Sequence, residues 1–385
     1  MEIVLAFDDL GCDLSGYEAT ALARDILLQL HPNWQITCTP LNRGGRDFTP
    51  TLARTFYGRT MQTAVLGPRW EPVPAEIGLL EAERLPPRVR NALRLPPDGS
   101  IAIIEAARGC GLHLVPPQSR NPYQHSSYGV GQMIARAADD GARAVIISGG
   151  DSVALDLGIG ALEAMGLEPN GEDGRLLNRL APERWDCVSR LGGDIWPHIP
   201  PLFYVYDSDV TLLGPNGAVA QQGRMAGLPP HALGDFEKTL GTMAKKLCAT
   251  FDQPRNLMAQ RGSGDGGGLG FGLQVACDAE LIPVSEFLPI WQGWRKHWAS
   301  SDLVVMGCRT LDRRTLQQPL LQRALDQAEV FGKPIYVFTE GVEKGLELPP
   351  KLQAHPYVPK GTCREQLDSE RRKLLTHKLV NVFKN

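Results

Sequence analysis

Four acids stand where an apolar run gives way to a loop: Asp8 after EIVLAF, Asp156 in GGDSVALD, Asp207 after LFYVY, and Asp312 after DLVVMGCRTL. Carboxylates gathered at strand ends suit a divalent cation and a phosphoryl acceptor, because the ligand crevice of an open parallel sheet lies beyond the carboxyl ends of its strands. Each acid taken singly also fits a helix cap or a solvated turn. Glycines accompany them. Gly149-Gly150 ends the run ARAVIIS, and Asp151 or Ser152 is then predicted to cap a helix whose exposed N–H groups suit a phosphate or carboxylate. A tight strand-to-helix turn with a good cap reads the same way.

The densest glycine run is GSGDGGGLGFG, residues 262–272, in which Gly262, Gly264 and Gly267 spell G-x-G-x-x-G. The preceding QPRNLMAQR is not strand-like, so the dinucleotide fingerprint lacks its βαβ context. Leu269, Phe271, Leu273 and Val275 lead straight into apolar structure, which argues against a linker. What remains is a loop that lets backbone approach a ligand or another backbone closely. No P-loop and no G-x-S-x-G elbow occurs.

The elements needed to position these residues alternate. EIVLAF (2–7) reads as a strand, and 15–31 as a helix opened by Ser15 and Glu18 in capping-box spacing. WQITCTPL (34–41) reads as a second strand, with Thr49 and Pro50 as N-cap and first turn of another helix. Further strands are predicted at 100–107, 142–150, 202–209, 302–307 and 334–341, with helical patterns between them. This is the signature of α/β architecture with a parallel sheet. The Pro- and charge-rich stretch 67–99 reads as a crossing between domains, and the basic 365–385 tail as a solvated terminal helix.

Bulk properties narrow the classes. A chain of 385 residues divides into two domains by default. Net charge is -3, which argues against nucleic acid and anionic membranes as partners. No apolar run reaches the roughly 18 residues of a membrane helix, and the acidic N-terminus is unlike a secretory signal, so a cytoplasmic location is expected. The eight cysteines (12, 38, 110, 187, 248, 277, 308, 363) and eight histidines show no ligand spacing for zinc.

Several motifs then occur together in one order. GLHLVPPQSRNPYQHSSYGVGQMI (111–134) resembles the string G-L-x-L-V-P-x-x-x-R-N-P-x-x-T-T-S-Y-G-T-G-E-L-I of the bacterial type 1 glycerate kinases. IISGGDSVALDLGIGALEAMG resembles that family's G-G-S-A-T-N-D-G-G-x-G-M-L-x-A-L-G, and DSDVTLLGPNGA its D-x-x-N-P-L-x-G-P-x-G-A. GSGDGGGLG is similar to P-G-A-G-A-A-G-G-x-G, and DLVVMGCRTLDRRTL to D-L-V-I-T-G-E-G-R-I-D-x-Q-T-L. The resemblance implies two α/β domains, one inserted in the other: a Rossmann-like parallel-sheet domain from 1–62 and 286–385, and an inserted domain at 63–285. It implies phosphorylation of D-glycerate to 2-phosphoglycerate with ATP and Mg2+, at a cleft lined by Asp8, Gly149-Gly150, Asp207, the 262–272 loop and Asp312. The catalytic carboxylates would be Asp8, Asp156, Asp207 and Asp312. Substrate or nucleotide would be bound at Ser127, Gly149, Gly150, Ser152, Gly264, Gly267 and Gly268.

The departures are chemical. Gly11 stands where the family string P-D-S-F-K-x-S-L-S has lysine. Arg43 and Arg46, in NRGGRDF, replace both acids of A-D-G-G-E-G-T and form a candidate anion site. Leu155-Asp156 replaces N-D after an extra residue at Asp151, Val210-Thr211 replaces N-P, and Gly307-Cys308-Arg309 replaces G-E-G. Phosphoryl transfer rests on positioning and charge, and one lost donor commonly lowers a rate by about 10²–10³. Two functions follow: a glycerate kinase with altered or weakened activity, or an inactive relative that holds a small anion or a partner protein.

Overall fold

The computed structural model describes residues 1–11, 13–359 and 361–384, so Cys12 lies outside the described residues. In chain order the strands are β1 (Glu2–Phe7), β2 (Gln35–Cys38), β3 (Arg59–Leu66), β4 (Pro72–Glu81), β5 (Ser100–Glu105), β6 (Ala144–Ser148), β7 (Glu168–Asn170), β8 (Arg190–Gly192), β9 (Leu202–Tyr206), β10 (Glu280–Pro283), β11 (Leu303–Leu311), β12 (Ile335–Val342) and β13 (Leu352–Pro356). They divide between two units, Met1–Arg43 with Leu288–Asn385, and Gly44–Phe287.

The first unit is a five-stranded sheet in the order β13-β12-β11-β1-β2. Every pairing in it is parallel, including β1 with β11 in the register Ile3↔Leu303 to Phe7↔Gly307. The predicted union of EIVLAF with DLVVMG is therefore observed. Side chains alternate along β1. Ile3, Leu5 and Phe7 pack with Leu27 of the helix Gly16–Leu30 and with Leu375, Leu379 and Phe383 of the terminal helix Arg364–Phe383. Val4 and Ala6 point to the other face and are equally buried. The first helix begins as predicted: Ser15 caps it, and the Glu18 carboxylate accepts from the Ser15 N–H at 3.0 Å.

The terminal helix is not the solvated element its charge predicts. Leu367, Arg371, Leu375, Leu379 and Phe383 form one buried stripe at a spacing of four. An arginine occupies a position in an otherwise apolar face.

The second unit carries a six-stranded mixed sheet, β10-β9-β6-β5-β4-β3. Its β5, β6, β9 and β10 are parallel neighbours, whereas β3, β4 and β5 pair antiparallel. The stretch 67–99 holds β4 and is no crossing segment; its alternating Val73, Ala75 and Ile77 are buried in this unit's core. The division also falls at Arg43 and not at 62, because the helix Phe48–Thr55 and β3 pack on β4 and β5. That helix starts at Phe48, with Asp47 in a left-handed conformation before it, so its cap falls two residues ahead of the predicted Thr49-Pro50 opening.

The glycine loop resolves as backbone packed on backbone. A 3-10 turn, Asp265–Gly267, leads into the helix Leu269–Cys277. Gly267 has φ +71°, and a Cβ there would run into the carbonyl of Ala154. Gly267→Ala is expected to destabilise the chain by about 2 kcal/mol or more in urea unfolding. Gly141→Ala is the control, since Gly141 has φ +82° but no atom within 4 Å of an added Cβ. It should cost only about 1 kcal/mol, the backbone contribution alone. Equal losses would show that the Ala154 contact does not matter.

Candidate functional site

In the first unit the chain leaves β1 for β2 on one side, while β11 leads to β12 and β13 on the other. The point where strand order reverses is thus the β1–β11 boundary, where a crevice opens beyond the carboxyl ends. Asp8 sits there, its N–H donating to the Gly307 carbonyl at 2.9 Å. Its carboxylate is buried and pairs with Arg43 Nε at 3.2 Å. Burial raises the Asp8 pKa, and the charges of Arg43 and Arg309 oppose that rise. Asp9 turns inward, accepting from the Gly16 N–H at 2.6 Å at the start of the first helix. Cys308, at the family's glutamate position, is a buried thiol pushed up to about 12 by desolvation, so it carries no charge near neutrality. Asp312 caps its own short helix, accepting from Thr315 N–H at 2.7 Å, which lowers its pKa.

In the second unit Gly149-Gly150 follows β6 and Asp207 follows β9. The sequence reading missed their chief companion, Asp265. It lies within the glycine loop, is buried, and accepts from Tyr204 Oη at 3.2 Å and Ser208 Oγ at 3.1 Å. Desolvation first, and then the nearby charge of Asp207, raise its pKa to about 7. Gly149 makes the cluster possible: a Cβ there would overlap both the Tyr204 hydroxyl and the Asp265 carboxylate. The available signal was an acid standing where the family string has alanine.

Other predicted residues have structural partners of their own. Asp156 is 1% exposed and accepts from Ser127 N at 2.7 Å, Ser127 Oγ at 2.9 Å, Gly158 N at 3.1 Å and Gly160 N at 3.2 Å. Desolvation raises its pKa against those donors. Asp156 and Ser127 together tie two loops. Ser152 caps no helix; it bridges Gly111 and bonds to Ala154, and the next helix starts only at Ile159. Gly264 packs on the Thr211 carbonyl, and Gly268 on Leu212 and Leu157. Arg46 is exposed, and its charge, with that of Arg108, adds to burial in lowering the His113 pKa. A second missed group is Glu105, at the end of β5: it is 1% exposed, pairs with Arg108 at 2.8 Å and accepts from Thr49 N at 3.0 Å. Burial still lifts its pKa to about 7.

Comparison with known proteins fits this architecture. The model of the glycerate kinase family matches residues 3–383. The chain belongs to the glycerate kinase family. The glycerate kinase of Bacillus subtilis is 29% identical over 327 residues, covering 82% of this chain and 78% of that protein. That of Halalkalibacterium halodurans is 26% identical over 91% of this chain and 92% of its own length. A glycerate 2-kinase of Escherichia coli is 25% identical, covering 87% of this chain and 84% of its own. A solved chain described as glycerate kinase 2 from Salmonella typhimurium LT2 superposes with a TM-score of 0.77 at 23% identity, covering 100% of this chain and 97% of that one, a likeness of fold. As a member of the glycerate kinase family, the chain is expected to act on a small molecule. Among the described residues no helix is long and apolar enough to cross a membrane.

The Asp265 proton offers a direct check. Its folded pKa, about 7, lies above the ordinary 3.8, so between those values the folded chain keeps a proton that the unfolded chain releases. Stability on this account falls as pH rises from about 4 to about 7 and is level beyond. Asp265→Asn removes that loss. The unfolding free energy of the variant relative to the native chain should grow through that window and then stay constant. A difference that is flat across the window would refute the shifted titration.

Proposed function

We propose that this protein transfers a phosphoryl group from ATP to a hydroxyl of glycerate or a closely similar small hydroxy acid, with Mg2+ as the bound cation. The observation that carries the reading is the Asp207–Asp265 pair at the end of β9. The charge of Asp207 lies close enough to raise the Asp265 pKa, and Asp265 itself accepts from the Tyr204 and Ser208 hydroxyls. Such a pair seeks one positive charge, a proton or a metal ion.

Among the described residues no group of three or more His, Cys, Asp or Glu could hold a metal. Mg2+ does not require one, since it commonly takes one or two protein carboxylates and completes its shell with water and substrate phosphate. Asp207 and Asp265 fit that demand and would hold it. When bound, the ion neutralises charge on the phosphate oxygens. Tyr204 and Ser208 fix the Asp265 carboxylate by their hydroxyls. Ser148, at the end of β6, has a buried hydroxyl without a partner among the described residues, and Gly150 follows two positions on. That hydroxyl and the Gly149-Gly150 turn suit a phosphate oxygen. Asp156 is assigned to holding the loop geometry and not to chemistry, because its oxygens are already given to four donors. Asp312 is likewise assigned to its helix cap.

The Arg43–Asp8 ion pair favours a second reading, an inactive relative that holds an anion. There the acid that opens the sheet is engaged by an arginine that stands at an acidic family position. Asp8 fixes the Arg43 Nε, so the guanidinium is held in one orientation, as two-pronged recognition of a carboxylate requires.

Calorimetry with ATP, glycerate and phosphoglycerate, with and without Mg2+, separates the readings. The kinase reading expects ATP binding that depends on Mg2+ and falls at least tenfold in Asp207→Asn, together with formation of phosphoglycerate. Glycerate affinity should fall about tenfold in the Arg43→Ala, Arg46→Ala double variant, the loss of one charge-assisted contact. No ATP binding, with glycerate binding that is independent of Mg2+ and lost in the arginine double variant, would establish the inactive relative. Unchanged affinities in the arginine double variant would remove those arginines from anion binding.

A further inference from the structure

The basic tail, read from sequence as solvated, contributes to a pocket in the first unit. The cavity has a volume of about 570 Å³ and lies against the last residues of β11 and β12. Arg309, Thr310, Glu340, Thr362, Arg364 and Arg371 line it, with Gly11 contributing from the loop after β1. Arg309 and Thr310 belong to the G-C-R-T stretch that departs from the family string, and Arg364 and Arg371 to the terminal helix.

Arg371 is 3% exposed. It is held by Glu340 at 2.9 Å, by Asp368 at 2.9 Å and by Asp13. A charge this deep in an apolar stripe is destabilising unless paired, and its three carboxylates supply that pairing. Its position also explains Gly11. A Cβ on residue 11 would lie 2.5 Å from Arg371 Nη1, so the guanidinium occupies the space that the family's lysine side chain would enter. The cation absent from the β1 loop is present nonetheless, delivered by a helix at the far end of the chain.

Two further features point to an anion. The terminal helix, 20 residues long, begins at Cys363 with no side-chain cap on its first N–H groups, and Thr362 and Arg364 flank that start. A helix start of this kind favours negative charge. Near the pocket, though not among its lining residues, the Tyr357 hydroxyl is buried, in a residue 6% exposed, and has no partner among the described residues. It feels the charges of Glu340 and Arg309, both in the pocket wall. With Arg371 answered by its own carboxylates, Arg309 and Arg364, whose charges also act on Glu340 in the same wall, supply the positive charge beside the lining acids Glu340 and Asp368.

We propose that this pocket binds a phosphate monoester of a small organic group, with Arg309 and Arg364 gripping the phosphate, Thr310, Thr362 and the helix start completing its shell, and Arg371 shaping the floor. Planar guanidinium forks match the oxygens of phosphate, and the cavity has room for an attached organic group. The site stands whether or not glycerate is the phosphoryl acceptor, since none of its residues belongs to the Asp207–Asp265 cluster.

The test uses the full chain, with calorimetry against inorganic phosphate and against phosphoglycerate as probes. Phosphoglycerate is expected to bind more tightly than inorganic phosphate, and each to compete with the other. Arg309→Ala with Arg364→Ala, both at exposed positions, should weaken binding at least tenfold while leaving the folded far-ultraviolet spectrum unchanged. The Arg43→Ala, Arg46→Ala variant should leave this binding within twofold. Arg371→Ala should lose affinity, and adding Gly11→Lys to it should restore at least part; if Arg371→Ala does not fold, the exposed pair decides alone. Binding unchanged by loss of Arg309 and Arg364, or binding of inorganic phosphate that is lost only with Arg43 and Arg46, overturns the proposal. Loss of phosphoglycerate formation without loss of this binding would instead count against the phosphotransferase reading.

Discussion

The pairing of β1 with β11 is the constraint on which the first unit depends. It joins residues three hundred positions apart, and the link extends to the N–H of Glu2 and the Asp302 carboxylate at 2.8 Å. Closing so long a loop costs entropy, although the cost rises only slowly with length. The inserted unit lowers it further by having its own sheet and apolar core. Once β1 lies beside β11, the reversal of strand order follows, and with it a crevice at Asp8, Cys308 and Arg309. The terminal helix then seals one face by packing Leu375, Leu379 and Phe383 on Ile3, Leu5 and Phe7.

Buried carboxylates show how each unit handles charge. Removing a carboxylate from water is unfavourable unless donors or cations replace the water. Asp156 has four donors, Glu105 has Arg108 and a backbone N–H, and Asp8 has Arg43. Asp265 has two hydroxyls and a neighbouring acid that works against it. At the end of β9 the charge of a second acid adds to the desolvation of the first, which is why that cluster and not Asp156 carries the functional reading. Perturbed acids at the end of a parallel strand are where a ligand's charge changes most.

The same logic explains why family positions can change without emptying the site of charge. Gly11 and Arg371 exchange a cation between distant parts of the chain, and Asp265 adds an acid inside a glycine loop where alanine is the family residue. Arg43 at an acidic position is met by Asp8. Substitutions that look like losses along the sequence become relocations in space.

Much of the fold was legible in the residues. The apolar runs EIVLAF, AVIIS and DLVVMG are strands because short apolar runs bounded by turn residues bury on both faces, and the S-x-x-E pattern starts the first helix through its own backbone donors. Those features are local, so local sequence decides them. The end of the first segment at Arg43, the antiparallel placement of β3 and β4, and the delay of the helix after Gly149-Gly150 to Ile159 depend on which sheet edge a segment finds. Of the candidate site, the sequence marked Asp8, Asp207 and the Gly149-Gly150 turn by their places at strand ends. It could not show that Asp156 and Asp312 are held by nearby backbone donors. Nor could it find Asp265 or Arg371, whose significance comes from partners brought close only by tertiary packing. Burial and charge pairing are properties of the assembled chain, and they turned an acid in a glycine run and an arginine in a basic tail into the residues on which the proposed chemistry rests.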